Sequence, residues 1–212
     1  MKSRRRLTRQ QSHELTRMRL IEAAEALFIR KGFDDTSVDE ISEAAGYSRG
    51  AFYSNFKDKD QLFLAVIDRR RPSVPKALGD IFQQIPEPTS RTAAVRDWYS
   101  NQWRLKDFIA LQMDLSRRAM KERSVRKHLA ELQREELETV TSAVIRYFGA
   151  GEEVRSERPE IVALALMAVA RGLAILAGDN EPEREHMYTE AAALVFDRMT
   201  APNISQLGEL QC

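Results

Sequence analysis

Cysteine is almost missing from this chain. The single one, Cys212, is the last of 212 residues, so no disulfide can close within the chain and no four-cysteine zinc site can form. Histidine is scarce as well. His13, His128 and His186 are scattered, which leaves no serine–histidine–aspartate arrangement to argue for and no metal cluster. The acid–histidine spacing that helical di-iron proteins use twice occurs once, at Glu183 and His186, where a solvated helix start accounts for it. The nine glycines form no phosphate-cradling loop. No apolar segment follows the basic N-terminus, so no secretory signal is visible, and the cysteine usage fits a reducing cytoplasm. These absences point away from an enzyme and from any cofactor or metal.

Charge of one sign is not in excess overall, since the net charge is +1. It is concentrated locally. Lys2, Arg4, Arg5, Arg6, Arg9, Arg17 and Arg19 face only Glu14 at the start of the chain. A basic arm of this kind suits nucleic acid or another anionic surface. Strand-like alternation of useful length is also lacking, and helical spacing dominates. Leu20, Ala24, Leu27 and Phe28 form the first apolar stripe, stopped by Gly32. Ser37 and Glu40 have the spacing of a capping box opening a short helix over 38–45, which Gly46 ends. A third helix is expected from 48 or 49 to 55, and a fourth from Lys59, capped by Asp58 and carrying Leu62, Phe63, Val66 and Ile67. Prolines interrupt the order at Pro72, Pro75, Pro86 and Pro88. Further helices are expected near 91–102, 104–121, 124–148, 157–178 and 183–200, about nine in all. The fold class is all-α, with the domain junction inside the fourth helix: 1–62 as a basic arm and a three-helix domain, 63–212 as a larger helical domain.

Two short helices around Gly46-Tyr47 read as a helix-turn-helix spanning about 37–56, whose second helix enters the major groove of DNA. Ser48, Arg49, Tyr53, Ser54 and Asn55 offer polar groups outward, Ala51 can meet a thymine methyl, and Gly50 permits close backbone approach. Phe52 and Phe56 share the inner face, and Lys57 and Lys59 add charge beside a helix start. Arg49 is expected to be the strongest base reader, pairing with guanine, with a phosphate contact as the alternative.

Residues 20–62 resemble the DNA-binding domain of the TetR/AcrR family of bacterial regulators. The resemblance rests on Leu20-Ile21, Ala23-Ala24, Leu27-Phe28, Gly32-Phe33, Thr36-Ser37-Val38, Ile41, Ala45-Gly46, Ser48, Gly50, Phe52-Tyr53, Phe56, Lys59 and Leu62. It implies a dimeric regulator on a near-palindromic duplex site. Thr36, Ser37, Tyr47, Ser48, Arg49, Gly50, Ala51, Tyr53, Ser54, Asn55, Lys57 and Lys59 would form the DNA face, Tyr53 and Lys59 touching phosphates. Arg4, Arg5, Arg6 and Arg9 would form an arm reaching DNA. Tyr47 is bulkier than the family's usual small aliphatic residue, and Ser54-Asn55 replaces a frequent histidine or tyrosine, so base preference is altered.

The one long hydrophobic run, Ile161 to Gly178, is apolar or small except for Arg171. Its alanine content and central arginine argue against a membrane span and for a buried or interface helix. By the resemblance, this run and the last helix form a dimer interface, with Ile161, Leu164, Met167, Ala168, Leu173, Leu176, Ala192, Val195, Phe196 and Met199 as its members. The resemblance also places a pocket for an unknown small apolar or amphipathic effector among the middle helices, where Trp98, Trp103, Phe108, Gln112, Met113, Tyr147 and Arg171 are candidates. The family reading is of a cytoplasmic bacterial repressor, nucleoid-associated when bound to DNA and released by its effector.

Overall fold

The computed structural model describes residues 8–71, 73–148, 158–177 and 184–200, and leaves the side chains of Pro88, Tyr147 and Phe148 undescribed. The described chain is helical, as expected, with no strand among these residues. The first four helices are α1 (Arg9–Lys31), α2 (Val38–Ala45), α3 (Arg49–Asn55) and α4 (Lys59–Arg70). Their ends follow local chemistry. Ser37 accepts from the Glu40 amide while Glu40 accepts from the Ser37 amide, closing the capping box of α2. Asp58 caps α4 through the Gln61 amide at 2.8 Å. Gly46 ends α2 in the left-handed region at φ 74°, where a side chain would be strained. Gly32, at φ 83°, ends α1.

The remaining elements are α5 (Val74–Gln84), α6 (Pro88–Ser100), a 3-10 turn at Gln102–Arg104, α7 (Lys106–Lys121), α8 (Arg123–Phe148), α9 (Pro159–Ala177) and α10 (Glu185–Thr200). Helix α5 is absent from the sequence expectation, which treats Pro75 as a break. Pro75 occupies the first turn of α5, where the missing amide would have had no partner in any case.

These helices form two compact units: one runs to Arg71 and includes Ala110–Leu129, and the other combines Pro72–Ile109 with the chain from Ala130 onward. The expected boundary at 62/63 falls inside α4, whose full length belongs to the first unit. In that unit α1 packs on α2, α3 and α4. Leu20, Ala24, Leu27 and Phe28 are buried with Ile41, Phe52, Phe56, Leu62, Phe63, Val66 and Ile67. Phe28, Phe33 and Phe63 form an aromatic knot with centroids 4.7–5.5 Å apart. The second half of α7 clasps this head. Asp114 accepts from the Phe33 amide at 2.9 Å, and Arg118 forks onto both oxygens of Asp60 at 2.8 Å.

In the second unit α10 lies against α6 and α9, and α5 against α6. Its core contains Leu78, Val95, Tyr99, Val144, Ala163, Leu166, Ala192 and Phe196. The buried Tyr99 hydroxyl donates to the Leu166 carbonyl at 2.9 Å, which satisfies the one polar atom its burial would otherwise strand.

Candidate nucleic-acid interface

Helix α3 is too short to hold itself, since an isolated helix of this length does not persist in water. It is held from both sides. Phe52 and Phe56 are 0 % and 1 % exposed and anchor it to the head's core. Its start is capped by Ser48, whose oxygen accepts from the Ala51 amide at 3.3 Å. Its end is closed by α1. Arg17 donates to the Asn55 carbonyl at 3.1 Å and lies 4.2 Å from the Phe56 ring centroid, and the His13 ring nitrogen is 3.4 Å from the Ser54 carbonyl. A cation at a helix C-terminus meets its unsatisfied carbonyls and favours the helix dipole.

So seated, α3 turns a polar face to solvent. Ser48, Arg49, Gly50, Tyr53 and Ser54 are exposed, and Ala51 and Tyr47 are half-buried beside them. Arg49 is not loose. Its Nη1 lies 3.0 and 3.2 Å from the two oxygens of Asp39, and its Nη2 lies 3.4 Å from the Tyr53 hydroxyl. These contacts, the Tyr53 hydroxyl foremost, raise the guanidinium's already high pKa. A Cβ added at Gly50 would meet only Ser48 Oγ, at an ordinary 3.7 Å. Nothing within the head therefore requires glycine there, which fits a reason lying outside it. Ser37 and Lys57 are exposed at the neighbouring helix starts.

Several sequence-expected contacts are placed otherwise. Thr36 is 1 % exposed, and its hydroxyl donates to the Gly32 carbonyl. Asn55 turns its amide back onto the Ala51 carbonyl at 2.8 Å. Lys59 spends its ammonium on the Phe33 and Thr36 carbonyls at 2.8 and 2.7 Å, over the Phe33 ring. Burial lowers its pKa, the two carbonyls notwithstanding. Arg9 is the first residue of α1, behind the capping box of Thr8 and Gln11, and does not belong to an arm ahead of the fold. Arg4, Arg5 and Arg6 lie outside the described residues. Asp39 and the capping role of Arg17 were missed. The signal for the first was an acid in the opening turn of α2, ten positions before the arginine that opens α3.

The expected effector residues are divided between the two units. Trp98 packs on the main core of the second unit, and Trp103 is buried in a separate cluster with Ala174 and Ala177, its ring nitrogen 3.2 Å from Thr189 Oγ1. Phe108 is buried, whereas Gln112 and the half-exposed Met113 belong to the first unit. Arg171 pairs with Glu136, both partly buried. The Tyr147 side chain and Glu183 lie outside the described residues.

The expected interface also divides. Ala192 and Phe196 are 2 % exposed, and Phe196 stacks on Tyr99 at 5.4 Å, so both serve the unit's own core. Ile161, Leu164, Ala168, Leu176 and Met199 are exposed, Leu176 at 70 %; Met167, Leu173 and Val195 are half-buried. Ile175, Met187 and Leu194, which the sequence reading passed over, are exposed with them.

What the first unit defines is a class: helix-turn-helix heads, which dock a recognition helix in the major groove. The family profile "Bacterial regulatory proteins, tetR family" matches residues 20–66. The HTH-type transcriptional regulator AcrR of Shigella flexneri is 47 % identical over 58 residues, covering 27 % of this chain and 26 % of that protein. The curated relatives are thus matched over about a third of their length or less. A TetR-family transcriptional regulator of Cytophaga hutchinsonii has the same fold, with a TM-score of 0.70 over 94 % of this chain and all of that one at 17 % identity. FadR of Bacillus subtilis, solved in complex with stearoyl-CoA, has it too, at TM-score 0.63 and 14 % identity over 88 % and 98 % of the two chains. Residues 20–66 thus match the DNA-binding domain of the TetR family, and the relatives named are transcriptional regulators rather than enzymes.

Proposed function

We propose that this chain is a dimeric, sequence-specific repressor that binds duplex DNA through α3 and leaves it when a small molecule binds the second unit. The observation that carries the reading is the division of α3. Two fully buried phenylalanines fix one face, and serine, arginine, glycine and tyrosine occupy the other. A face built this way offers hydrogen-bond donors to base edges and phosphates without losing its seat.

A second copy of the chain is the partner that the exposed stripes of α9 and α10 fit. Ile161, Leu164, Ala168 and Ile175 recur at helical spacing on α9, and Met187 and Leu194 on α10, which packs beside it. Helix α9 is long and apolar enough to cross a membrane by composition alone. The pairing of Arg171 with Glu136 and the packing of Ala163, Leu166, Ala174 and Ala177 within the unit support a core and interface role instead. Two copies would set their recognition helices about one DNA turn, roughly 34–36 Å, apart on a near-palindromic site.

For the effector, support comes from the shared fold with FadR. A small apolar or amphipathic molecule that binds one arrangement of the dimer better than another shifts the population away from DNA. Such a protein works in the bacterial cytoplasm. Sedimentation of the chain with a bound duplex tests the assembly: two chains per duplex are expected, and a single chain at saturation would refute the dimeric reading.

A further inference from the structure

The trio of Asp39, Arg49 and Tyr53 is built on the surface, not into the core. The side chains of Arg49 and Asp39 keep 60 % and 65 % of their surface, and Tyr53 keeps 49 %. Exposed ion pairs contribute little to folding, because water screens them and ordering two side chains costs entropy. The start of α2 already has its hydrogen-bonded acid in Glu40. On a face that meets phosphates, a further carboxylate repels the ligand. Asp39 therefore adds little to the fold and opposes indiscriminate DNA binding, yet it touches the arginine at the head of the recognition helix.

We propose that Asp39 is a specificity-determining residue: it neutralises and aims Arg49, so that this arginine discriminates between sequences instead of attracting any phosphate. The proposal rests on the DNA-binding reading above. An unpaired guanidinium is drawn to every phosphate, and each such contact releases about one counterion whatever the sequence. The Asp39–Arg49 couple has no net charge and adds nothing to that term. Its geometry adds direction. With Nη1 on the carboxylate and Nη2 near the Tyr53 hydroxyl, the guanidinium is anchored at two points. Its remaining N–H groups can meet an acceptor pair such as guanine N7 and O6. The exposed pair is also cheap to rearrange, so Asp39 biases Arg49 without locking it. Of the neighbouring charged groups, Glu40 of α2 pairs with Lys31 of α1, Arg17 of α1 closes the far end of α3, and Glu43 is exposed in the last turn of α2.

The test is Asp39→Asn in the full chain, with equilibrium binding to a random-sequence duplex and to a site selected by the wild type, each across a salt series. The slope of log Kd against log salt on random duplex should steepen by about 0.9 per head. Random-duplex binding should tighten, and the preference for the selected site should fall at least about fivefold, the low end for one ordered arginine–base contact. Base preference should relax only at positions that Arg49→Ala also relaxes, and Asp39→Glu should restore the wild-type slope. Unchanged slope and preference, with wild-type binding intact, would overturn the proposal. So would equal weakening on all duplexes with a lowered Tm, which would make Asp39 a support of α2. A wild type that binds no duplex would refute the DNA-binding reading, and this inference with it.

Discussion

Replacing Arg17 with methionine separates the two uses that a cation near DNA can have. In the structure the guanidinium donates to the Asn55 carbonyl at 3.1 Å and covers the Phe56 ring at 4.2 Å, closing the C-terminus of α3. Methionine keeps most of the apolar stem against Phe56 and removes the charge and the donor. A hydrogen bond from a charged group contributes roughly 1.5–3 kcal/mol, and a half-buried one falls at the low end. The cation over the ring adds about 0.5 kcal/mol at a site open to solvent. Together these give a loss of about 2 kcal/mol, or a fall in Tm of roughly 4–8 °C for a chain of this size. Urea unfolding followed by circular dichroism should show a lower midpoint at unchanged m. Affinity for DNA should fall on every sequence alike, because α3 is less firmly seated, and the salt slope should stay as it was. A slope reduced by about 0.9 per head, with stability intact, would show that Arg17 is a phosphate contact and that the capping argument is wrong.

Three further outcomes follow from the same geometry. Arg118→Ala removes the fork on Asp60 and the cation near Phe33, and should cost about 1–2 kcal/mol, between the values for exposed and buried pairs; lysine should not restore it, since it cannot fork. Equal urea midpoints for wild type and Arg118→Ala would contradict this. The Glu40 carboxyl is held at about 2, below its ordinary 4.5, by the Lys31 ammonium first and then by the Ser37 amide and hydroxyl. A depressed folded value means that its contribution is complete above pH 4.5 and lost as pH falls toward 2, so Glu40→Gln should flatten the acid limb of stability within that window. An acid limb identical to wild type would remove Glu40 from the account. Leu176→Glu places a charge on the most exposed apolar residue of α9 and should convert the chain to a monomer by sedimentation; a dimer of wild-type strength would mean the interface lies elsewhere.

The head was legible because its signals are local. Ser37 with Glu40, Asp58, Gly32 and Gly46 each act within a turn or two, so caps and stops could be read without tertiary knowledge. The aromatic spacing of Phe52 and Phe56 likewise defines an inner face whatever lies beneath it. What stayed hidden depends on partners far along the chain. Nothing in the charge pattern distinguishes a cation aimed at phosphate from Arg17 or Lys59, whose donors end on backbone carbonyls 38 and 26 residues away. An apolar stripe looks the same whether it faces its own core, as at Phe196, or solvent, as at Leu194. The aromatics expected near one effector site were grouped by the family resemblance, which carries no packing detail, and Trp98 and Trp103 pack in separate clusters. Helix α1 begins before its apolar stripe because the Thr8–Gln11 capping box starts it, a signal masked by the run of arginines around it.

The most direct test of the central claim is selection from random duplex DNA by the purified full chain over several rounds at moderate salt, followed by sequencing. The account expects an enriched near-palindromic site with half-sites about one helical turn apart, and loss of that enrichment in Arg49→Ala at one or two positions per half-site. Salt-sensitive binding with no enriched sequence, or no binding to duplex DNA, would contradict it.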